Sequence, residues 1–167
     1  MTQPHWNPAY VGIGSNLDSP ADQVANAIVC FAEISGGLLV SQSGLYRSAP
    51  HDGNEQPDYI NAVVAFLTRS GAREFLHQLQ AIEDRMGRIR TERRWDSRII
   101  DLDLLAYASL QLDDEELTLP HPGIADRNFV LLPWNEIAPQ YIVPGLGKVC
   151  ELAAEYFGDD QKIERLS

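Results

Sequence analysis

Apolar and polar residues follow first a strand pattern and then a helix pattern at the start of the chain. Residues 10–13 form a short apolar run that ends at a turn-forming Gly-Ser-Asn sequence, which predicts a first strand. Ser19 then supplies a helix N-cap, Pro20 the first helical residue and Asp22 a capping-box acid, and apolar residues follow at helical spacing. We therefore expect a first helix that ends at the Gly36-Gly37 pair.

The same two patterns recur further along the chain. They predict a second strand within residues 38–48, a polar loop over 50–57, a third strand over 59–68, an amphipathic helix over 72–86 and a fourth strand over 99–107. The β-α-β-β-α-β order fits an α+β fold of the ferredoxin-like type, an antiparallel sheet with helices on one face and the active site on the other. We expect a single domain over residues 1–167, with mostly connecting structure after residue 111 and a short helix over 149–156.

The charge of the chain limits its partners. A net charge of −11 over 167 residues argues against general affinity for nucleic acid or anionic membranes. The sequence shows neither a long apolar span nor the features of a signal peptide, so we expect a cytoplasmic protein. Positive charge is nevertheless concentrated, because six of the eleven arginines fall within residues 85–98, opposed there by Glu92 and Asp96. A solvated face would explain such a run if it stood alone.

Asp101 and Asp103 follow the arginine-rich segment in the predicted fourth strand. Because side chains alternate faces along a strand, both carboxylates point the same way, and apolar residues 100, 102, 104 and 106 form a row on the other face. Adjacent like charges repel unless a cation offsets them, and Mg²⁺ takes one or two carboxylates together with phosphate oxygens. With arginines nearby as phosphate donors, the segment predicts a metal pair in a phosphate-transfer site. Polar-out alternation on an edge strand is the alternative interpretation.

Tyr59, Asn61 and Phe129 are candidates for binding a flat heterocycle, since aromatic rings can stack on it and an amide can hydrogen-bond its edge. Core packing would explain either ring, whereas an amide within an apolar strand needs polar partners or solvent. His121 and the glycines at 12 and 14 are weaker signals. A loop histidine can serve a structural hydrogen bond, and no phosphate-loop lysine accompanies the glycines.

Eight motifs occur in an order that is typical of one enzyme family. They are GSN at Gly14, YRSAP at Tyr46, QPDYINAV at Gln56, IE at Ile82, GRIR at Gly87, RW at Arg94, RIIDLDLL at Arg98 and LPHP at Leu119. Over nearly its whole length the chain resembles 6-hydroxymethyl-7,8-dihydropterin pyrophosphokinase, an enzyme of folate biosynthesis. The resemblance implies that ATP donates its β,γ-diphosphate to the hydroxymethyl oxygen of the pterin and that AMP is released.

The resemblance also implies roles for individual residues. Asp101 and Asp103 match the ligands of two Mg²⁺ ions, and Arg88 and Arg98 match arginines that bind the polyphosphate and promote transfer. The residues implied to bind the pterin are Ser48, Tyr59, Asn61, Trp95 and Phe129, of which Trp95 lies in a loop that closes over the substrates. The residues implied to line the ATP site are Gln80, Glu83, Arg90, Leu104, Thr118, His121 and Arg127.

The chain departs from the family pattern near the nucleotide. Thr91 and Glu116 stand where members often have basic residues, and Asp96-Ser97 replaces a common Gly-Pro. These changes remove positive charge and add negative charge, which neighbouring arginines could offset.

A non-catalytic module that binds RNA, a nucleotide or a pterin is the alternative function. RNA-recognition domains share the β-α-β-β-α-β order and present aromatic residues from an open sheet face. Two aspartates on that face would repel an RNA backbone unless Mg²⁺ intervened. We therefore expect a monomeric, Mg²⁺-dependent diphosphotransferase whose partners are ATP and the pterin, with no nucleic-acid or membrane partner.

Overall fold

The computed structural model describes residues 5–50, 55–88, 97–157 and 163–166. Its strands are β1 (Asn7–Ser15), β2 (Gly37–Gln42), β3 (Tyr46–Ser48), β4 (Tyr59–Thr68), β5 (Asp101–Tyr107), β6 (Leu112–Asp113), β7 (Thr118–Leu119), β8 (Ile142–Val143), β9 (Gly147–Lys148) and β10 (Ile163–Arg165). Its α-helices are α1 (Pro20–Ala32), α2 (Ala72–Arg85), α3 (Asn128–Ile137) and α4 (Val149–Ala154). Within these described ranges, no helix is both long enough and apolar enough to cross a membrane.

An antiparallel sheet forms the centre of the molecule. Its strand order is β10-β3-β4-β1-β5, and β2 also pairs with β4. The mixed α/β prediction with an antiparallel sheet is confirmed. The predicted second strand is divided into β2 and β3 because the hydroxyl of Ser43, and not a backbone carbonyl, accepts the N–H of Val63 at 2.9 Å.

The main core lies between one sheet face and helices α1 and α2. Alternate residues of β1 (Ala9, Val11 and Ile13) are at most 2% exposed there, because successive strand residues point to opposite faces. Aromatic rings fill the space above the sheet, with Phe66 stacked on Phe75 at a centroid distance of 5.3 Å. The apolar residues of α1 and α2 thus cover one face of β1, and these two helices leave its opposite face uncovered.

The second sheet face is partly covered by α3 and α4, whereas the sequence pattern had placed the helices on one face. Val63 and Leu105 of the sheet pack there with Trp134 of α3, and all three are fully buried. Pro133 inside α3 removes one helical hydrogen bond, so sequence rules do not favour a helix at this position. Burial of the neighbouring tryptophan supplies the compensating stabilisation.

A carboxylate of α3 ties the last strand to the sheet edge. Arg165 donates to both oxygens of Glu136, from Nε at 3.2 Å and from Nη2 at 3.0 Å. The same carboxylate accepts the hydroxyl of Tyr46 at 2.7 Å and the backbone N–H of Gly44 at 3.0 Å. We call Gly44, Tyr46, Glu136 and Arg165 the Glu136 cluster. Chiefly through the Arg165 hydrogen bonds, it holds the pKa of Glu136 down to about 2.

The Glu136 cluster should make the stability of the fold depend on pH. A glutamate whose pKa is lower in the folded than in the unfolded protein stabilises the fold. This stabilisation is fully present when the pH is above the unfolded pKa of about 4.3, and it is lost as the pH falls toward about 2. Glu136→Gln should therefore lower the Tm at pH 7, and its difference from the wild type should shrink between about pH 5 and pH 2. Thermal unfolding followed by circular dichroism at a series of pH values measures this difference.

Glu164→Gln is the matched control for this measurement. The Glu164 side chain is 70% exposed and lies 3.8 Å from Arg47, so its loss should change the Tm little at any pH. If the Tm difference between Glu136→Gln and the wild type stays constant from pH 7 to pH 2, the low pKa assigned to Glu136 is wrong.

Candidate active site

A cavity of about 440 Å³ opens on the sheet face opposite α1 and α2. Its lining brings together residues that are far apart in sequence, from β1, β3, β4, β5 and residues 121–130. Nine of the predicted site residues are among them: Ser48, Tyr59, Asn61, Arg98, Asp101, Asp103, His121, Arg127 and Phe129. The candidate heterocycle site and the candidate metal site therefore share one cavity.

Strand register explains why these side chains meet. Asn61 of β4 and Asp101 of β5 both lie opposite Gly14 of β1, and Tyr46 of β3 lies opposite Asn61. Residues directly opposite one another on antiparallel strands share a sheet face. The next row on this face pairs Gly12 with Asp103. An amide and two carboxylates from neighbouring strands thus face the same space.

The glycines of β1 form the floor of the cavity between Asn61 and the carboxylates. A Cβ at Gly14 would lie 3.4 Å from Asn61 Oδ1 and 4.0 Å from a Tyr59 ring carbon, and so would occupy the cavity floor. The Gly12 and Gly14 pair had been a weak phosphate-loop signal in the sequence. Its structural contribution is open space beside the amide, on a strand whose other face is in the core.

Arginines surround the two aspartates. Asp101 contacts Arg88 Nη1 at 2.9 Å and Arg98 Nη1 at 2.8 Å, one on each carboxylate oxygen. Asp103 Oδ2 lies 3.4 Å from Arg127 Nη1. Arg88 also pairs with Glu83, whose buried carboxylate accepts the backbone N–H of Leu102 at 2.7 Å. The arrangement can stabilise negative charge next to the acidic pair.

Asp103 lies in an environment that disfavours its charged form. Burial, followed by repulsion from Asp101, raises its pKa above the ordinary aspartate range. A cation between the two groups would relieve this repulsion. Over the described ranges there is no group of three or more histidine, cysteine, aspartate and glutamate residues that could hold a metal. A pair of aspartate carboxylates is a donor set that Mg²⁺ can use, because this ion completes its coordination with water and phosphate oxygens.

His121 adds a neutral hydrogen-bond donor beside Asp103. Its Nδ1 accepts the backbone N–H of Gly123 at 3.1 Å, which leaves the ring proton on Nε2, 3.9 Å from Asp103 Oδ2. Burial, together with the positive charge of Arg127, lowers the pKa of His121 to about 4. At neutral pH the imidazole is therefore uncharged and can donate a hydrogen bond without adding positive charge.

The amide of Asn61 is oriented by β3. Its Nδ2 donates to Ser48 Oγ at 2.8 Å and to the carbonyl of Tyr46 at 3.4 Å. Its Oδ1 is the atom nearest the Gly14 floor. Asn61 thus presents an acceptor to the cavity, where Tyr59 and Phe129 supply aromatic surface.

Several predicted residues lie outside the cavity lining. Leu104 is 4% exposed in the core on the helix side of β5, so its side chain faces away from the carboxylates. The Thr118 hydroxyl donates to Asp113 at 3.2 Å, and Gln80 is half-buried on α2. The predicted ATP-binding roles of these residues, like that of Glu83, stay predictions. Arg90, Thr91, Trp95 and Asp96 lie outside the described residues.

Glu116 does not carry an unbalanced negative charge. Its carboxylate pairs with Arg73 at 3.0 Å and with His77 at 2.5 Å, both on α2. These contacts offset part of the charge change that the sequence indicates at this position.

Asn16 is a positioning residue that sequence reasoning missed. It is 1% exposed, and its Oδ1 accepts the backbone N–H of Arg98 at 2.8 Å. Its Nδ2 lies within 3.4 Å of acceptors on Gln56, Pro57 and Ser97. Asn16 therefore joins the segment before β4 to the segment before β5. The turn-forming motif GSN was visible in the sequence, but these partners were not.

The cavity brings paired carboxylates and arginines together in the way that a phosphate-transferring enzyme requires, within a fold of helices and an antiparallel sheet. A family model described as 7,8-dihydro-6-hydroxymethylpterin-pyrophosphokinase (HPPK) matches residues 10–139. The chain belongs to this family, as its motifs predicted, and the predicted pterin pyrophosphokinase activity in folate biosynthesis is confirmed.

Two bacterial relatives match most of the chain. A protein of Haemophilus influenzae is 38% identical over 156 residues, which cover 93% of this chain and 96% of the relative. A protein of Methylorubrum extorquens is 41% identical over 137 residues, or 82% of this chain and 86% of the relative. Both are named 2-amino-4-hydroxy-6-hydroxymethyldihydropteridine pyrophosphokinase.

A solved structure supports the fold. The Plasmodium falciparum HPPK-DHPS structure with SDX-DHP aligns over 93% of this chain with a TM-score of 0.72 and 15% identity. The present chain spans 45% of that longer chain. At this identity the likeness shows the shared fold alone.

The neutral state of His121 can be tested directly. We expect an NMR titration of the imidazole nitrogens to give a pKa near 4 for His121, with the proton on Nε2 at neutral pH. Arg127→Gln should raise this pKa because it removes a nearby positive charge, whereas Arg47→Gln, on the other sheet face, should not. A wild-type value at or above the ordinary 6.5 would contradict the burial argument.

Proposed function

We propose that this chain transfers the β,γ-diphosphate of ATP to the hydroxymethyl oxygen of 6-hydroxymethyl-7,8-dihydropterin in a Mg²⁺-dependent reaction. The observation that supports this most directly is the row in which Asn61 and Asp101 flank Gly14 on one sheet face. An acceptor for a heterocycle and a carboxylate for a metal then lie on either side of an open floor. Family membership supports this choice of substrates.

The pterin occupies the half of the cavity next to β3 and β4. Asn61 Oδ1 accepts a hydrogen bond from an N–H of the ring, and Ser48 and the following backbone contact the ring edge. The rings of Tyr59 and Phe129 enclose its faces. A cavity of about 440 Å³ lies within the range of about 300–1,000 Å³ that small-molecule sites occupy.

Asp101 and Asp103 hold Mg²⁺, as two ions, in the other half. When bound, the metal neutralises phosphate charge and orients the polyphosphate. Arg88 and Arg98, which contact Asp101 in this structure, are then within reach of phosphate oxygens. His121 can donate through Nε2, and Arg127 adds positive charge on the Asp103 side.

The transfer forms one bond and breaks another at the β-phosphorus. The hydroxymethyl oxygen bonds to the β-phosphorus as the bond to the α,β-bridging oxygen breaks, so AMP leaves with that oxygen and the hydroxyl proton passes to water. Such reactions depend chiefly on positioning and charge stabilisation, so a dedicated base is not required. The arginines stabilise the charge that develops on the transferred group.

The finer classification of the fold belongs to the same proposal. The β-α-β-β-α-β order with β4 and β1 at the sheet centre supports a ferredoxin-like arrangement for residues 7–107. We extend the proposed roles to Arg90 and Trp95 on the family resemblance alone. A monomer built as one domain is the state in which we expect the chain to act.

The metal assignment predicts different effects on turnover and on pterin binding. Asp101→Asn and Asp103→Asn should each lower Mg²⁺-dependent AMP formation about a hundredfold or more, because both remove charge that the metal needs. The affinity for oxidised 6-hydroxymethylpterin, measured by calorimetry without ATP, should stay close to that of the wild type. Asp22→Asn, on α1 at the other sheet face, is the matched control and should retain full turnover. Wild-type turnover in both site variants would refute the assignment.

The glycine floor predicts an effect on the pterin. Gly14→Ala should weaken binding of oxidised 6-hydroxymethylpterin about tenfold, because the added methyl group occupies the floor beside Asn61. Gly71→Ala is the control, since a Cβ there would meet no atom within 4 Å. Calorimetric titration of both variants measures the effect. Equal affinities in the two variants would show that the pterin does not lie on this floor.

A further inference from the structure

We propose that Arg165 is a positioning residue for the pterin site. Through Glu136 and Tyr46, it holds β3 and α3 in the arrangement in which Asn61 turns its oxygen toward the cavity. This inference rests on the proposed function, which places the pterin against Asn61. It assigns a role in the reaction to the C-terminal strand β10, which contributes no cavity-lining residue among those described.

Arg165 lies in the same row of the sheet as Asn61. Arg165 lies opposite Tyr46, Tyr46 lies opposite Asn61, and Asn61 lies opposite Gly14. Because opposed residues share a face, this row runs from the sheet edge at β10 to the cavity floor. Arg165 is therefore on the cavity side of the sheet, at the end of the row that contains the pterin-binding amide.

The orientation of the Asn61 amide depends on β3. Its Nδ2 donates to the Ser48 hydroxyl and to the Tyr46 carbonyl, and both of these residues belong to this three-residue strand. Asn61 and Ser48 are each 5% exposed, so water cannot readily replace these contacts. If β3 shifts, the amide loses the partners that direct its NH₂ group away from the cavity. A reversed amide would present a donor where the pterin requires an acceptor.

Strand β3 is attached to α3 through Tyr46 and Glu136. Glu136 accepts the Tyr46 hydroxyl at 2.7 Å, and Tyr46 is 9% exposed. Glu136 lies in the last turn of α3, and Phe129, at the start of the same helix, lines the cavity. The contact between Tyr46 and Glu136 therefore fixes the separation between two elements that border the pterin site.

Arg165 holds the Glu136 carboxylate in the position in which it accepts the Tyr46 hydroxyl. It supplies two of the hydrogen bonds to Glu136, one to each oxygen, in the geometry of a bidentate pair. Its guanidinium also covers Gly44, where a Cβ would lie 2.8 Å from Arg165 Nη2. Without Arg165 the Glu136 carboxylate is free to turn toward solvent, and both Tyr46 and the Gly44 N–H lose a fixed acceptor.

The same strand pair offers a matched control. Arg47 of β3 pairs with Glu164 of β10 at 3.8 Å, with side chains 50% and 70% exposed. Arg47 alternates with Tyr46 and so points to the other sheet face. Like Arg165, Arg47 makes a surface interaction that attaches β10 to the sheet. Removing it weakens this attachment but leaves the Glu136 cluster intact.

The experiment compares Arg165→Ala, Arg165→Lys, Tyr46→Phe and Arg47→Ala in the full chain. For each variant, steady-state AMP formation gives KM for the pterin and KM for ATP, and calorimetry gives the affinity for oxidised 6-hydroxymethylpterin. Arg165→Ala and Tyr46→Phe should raise the pterin KM and weaken analogue binding by about two- to tenfold, the range for one lost hydrogen bond. KM for ATP should be unchanged. Arg165→Lys should recover part of the loss, and Arg47→Ala should match the wild type.

Each result decides between the two proposals. If Arg165→Ala and Tyr46→Phe are folded and bind the pterin as the wild type does, the positioning role is wrong. An equal loss in Arg47→Ala would also overturn it, since the effect would then come from general attachment of β10. Should Arg165→Ala fail to fold, Tyr46→Phe, which keeps the ring, decides the question. A wild-type chain that forms no AMP with this pterin would refute the proposed function itself.

Discussion

The architecture depends on a single strand, β1, performing two tasks on its two faces. Ala9, Val11 and Ile13 point into the core beneath α1 and α2 and are almost completely buried. On the opposite face of the strand, Gly12 and Gly14 carry no side chain, and this leaves space where the cavity forms. Because strand side chains alternate with a period of two, a shift of register by one residue would place core residues in the site. The requirements of the core therefore also fix the geometry of the site.

The central position of β1 brings the chemical groups together. It pairs with β4 on one side and with β5 on the other, so Asn61 and Asp101 come to lie at either side of Gly14. Two carboxylates on one face would repel each other in a partly desolvated space, and the arginine contacts to Asp101 reduce this cost. In the proposed complex with Mg²⁺ and a polyphosphate, the same groups would have different partners: the cation would bind the carboxylates, and the phosphates would bind the guanidinium donors.

Strands with regular alternation and helices with a clear apolar stripe were predictable from sequence. The pattern located Asp101 and Asp103 on one face, and the motifs identified the family. The pattern failed where tertiary contacts replace a local signal. Helix α3 contains Pro133 and persists because Trp134 is buried, while the break between β2 and β3 depends on one side-chain hydrogen bond from Val63 to Ser43. Strand β10 has three residues, too few for any periodicity.

Residue type alone was also insufficient within the site. Asn61 was predictable as a polar residue in an apolar strand, but an asparagine can present either a donor or an acceptor to a ligand. Here the choice is made by Ser48 and by a backbone carbonyl, both on a short strand that β4 holds on one side and β10 on the other. In the proposed pterin site, selectivity for a heterocycle with an N–H at this edge would therefore depend on how firmly β3 is held. We propose for this reason that residues at the sheet edge and in the last turn of α3 take part in recognition without contacting the ligand.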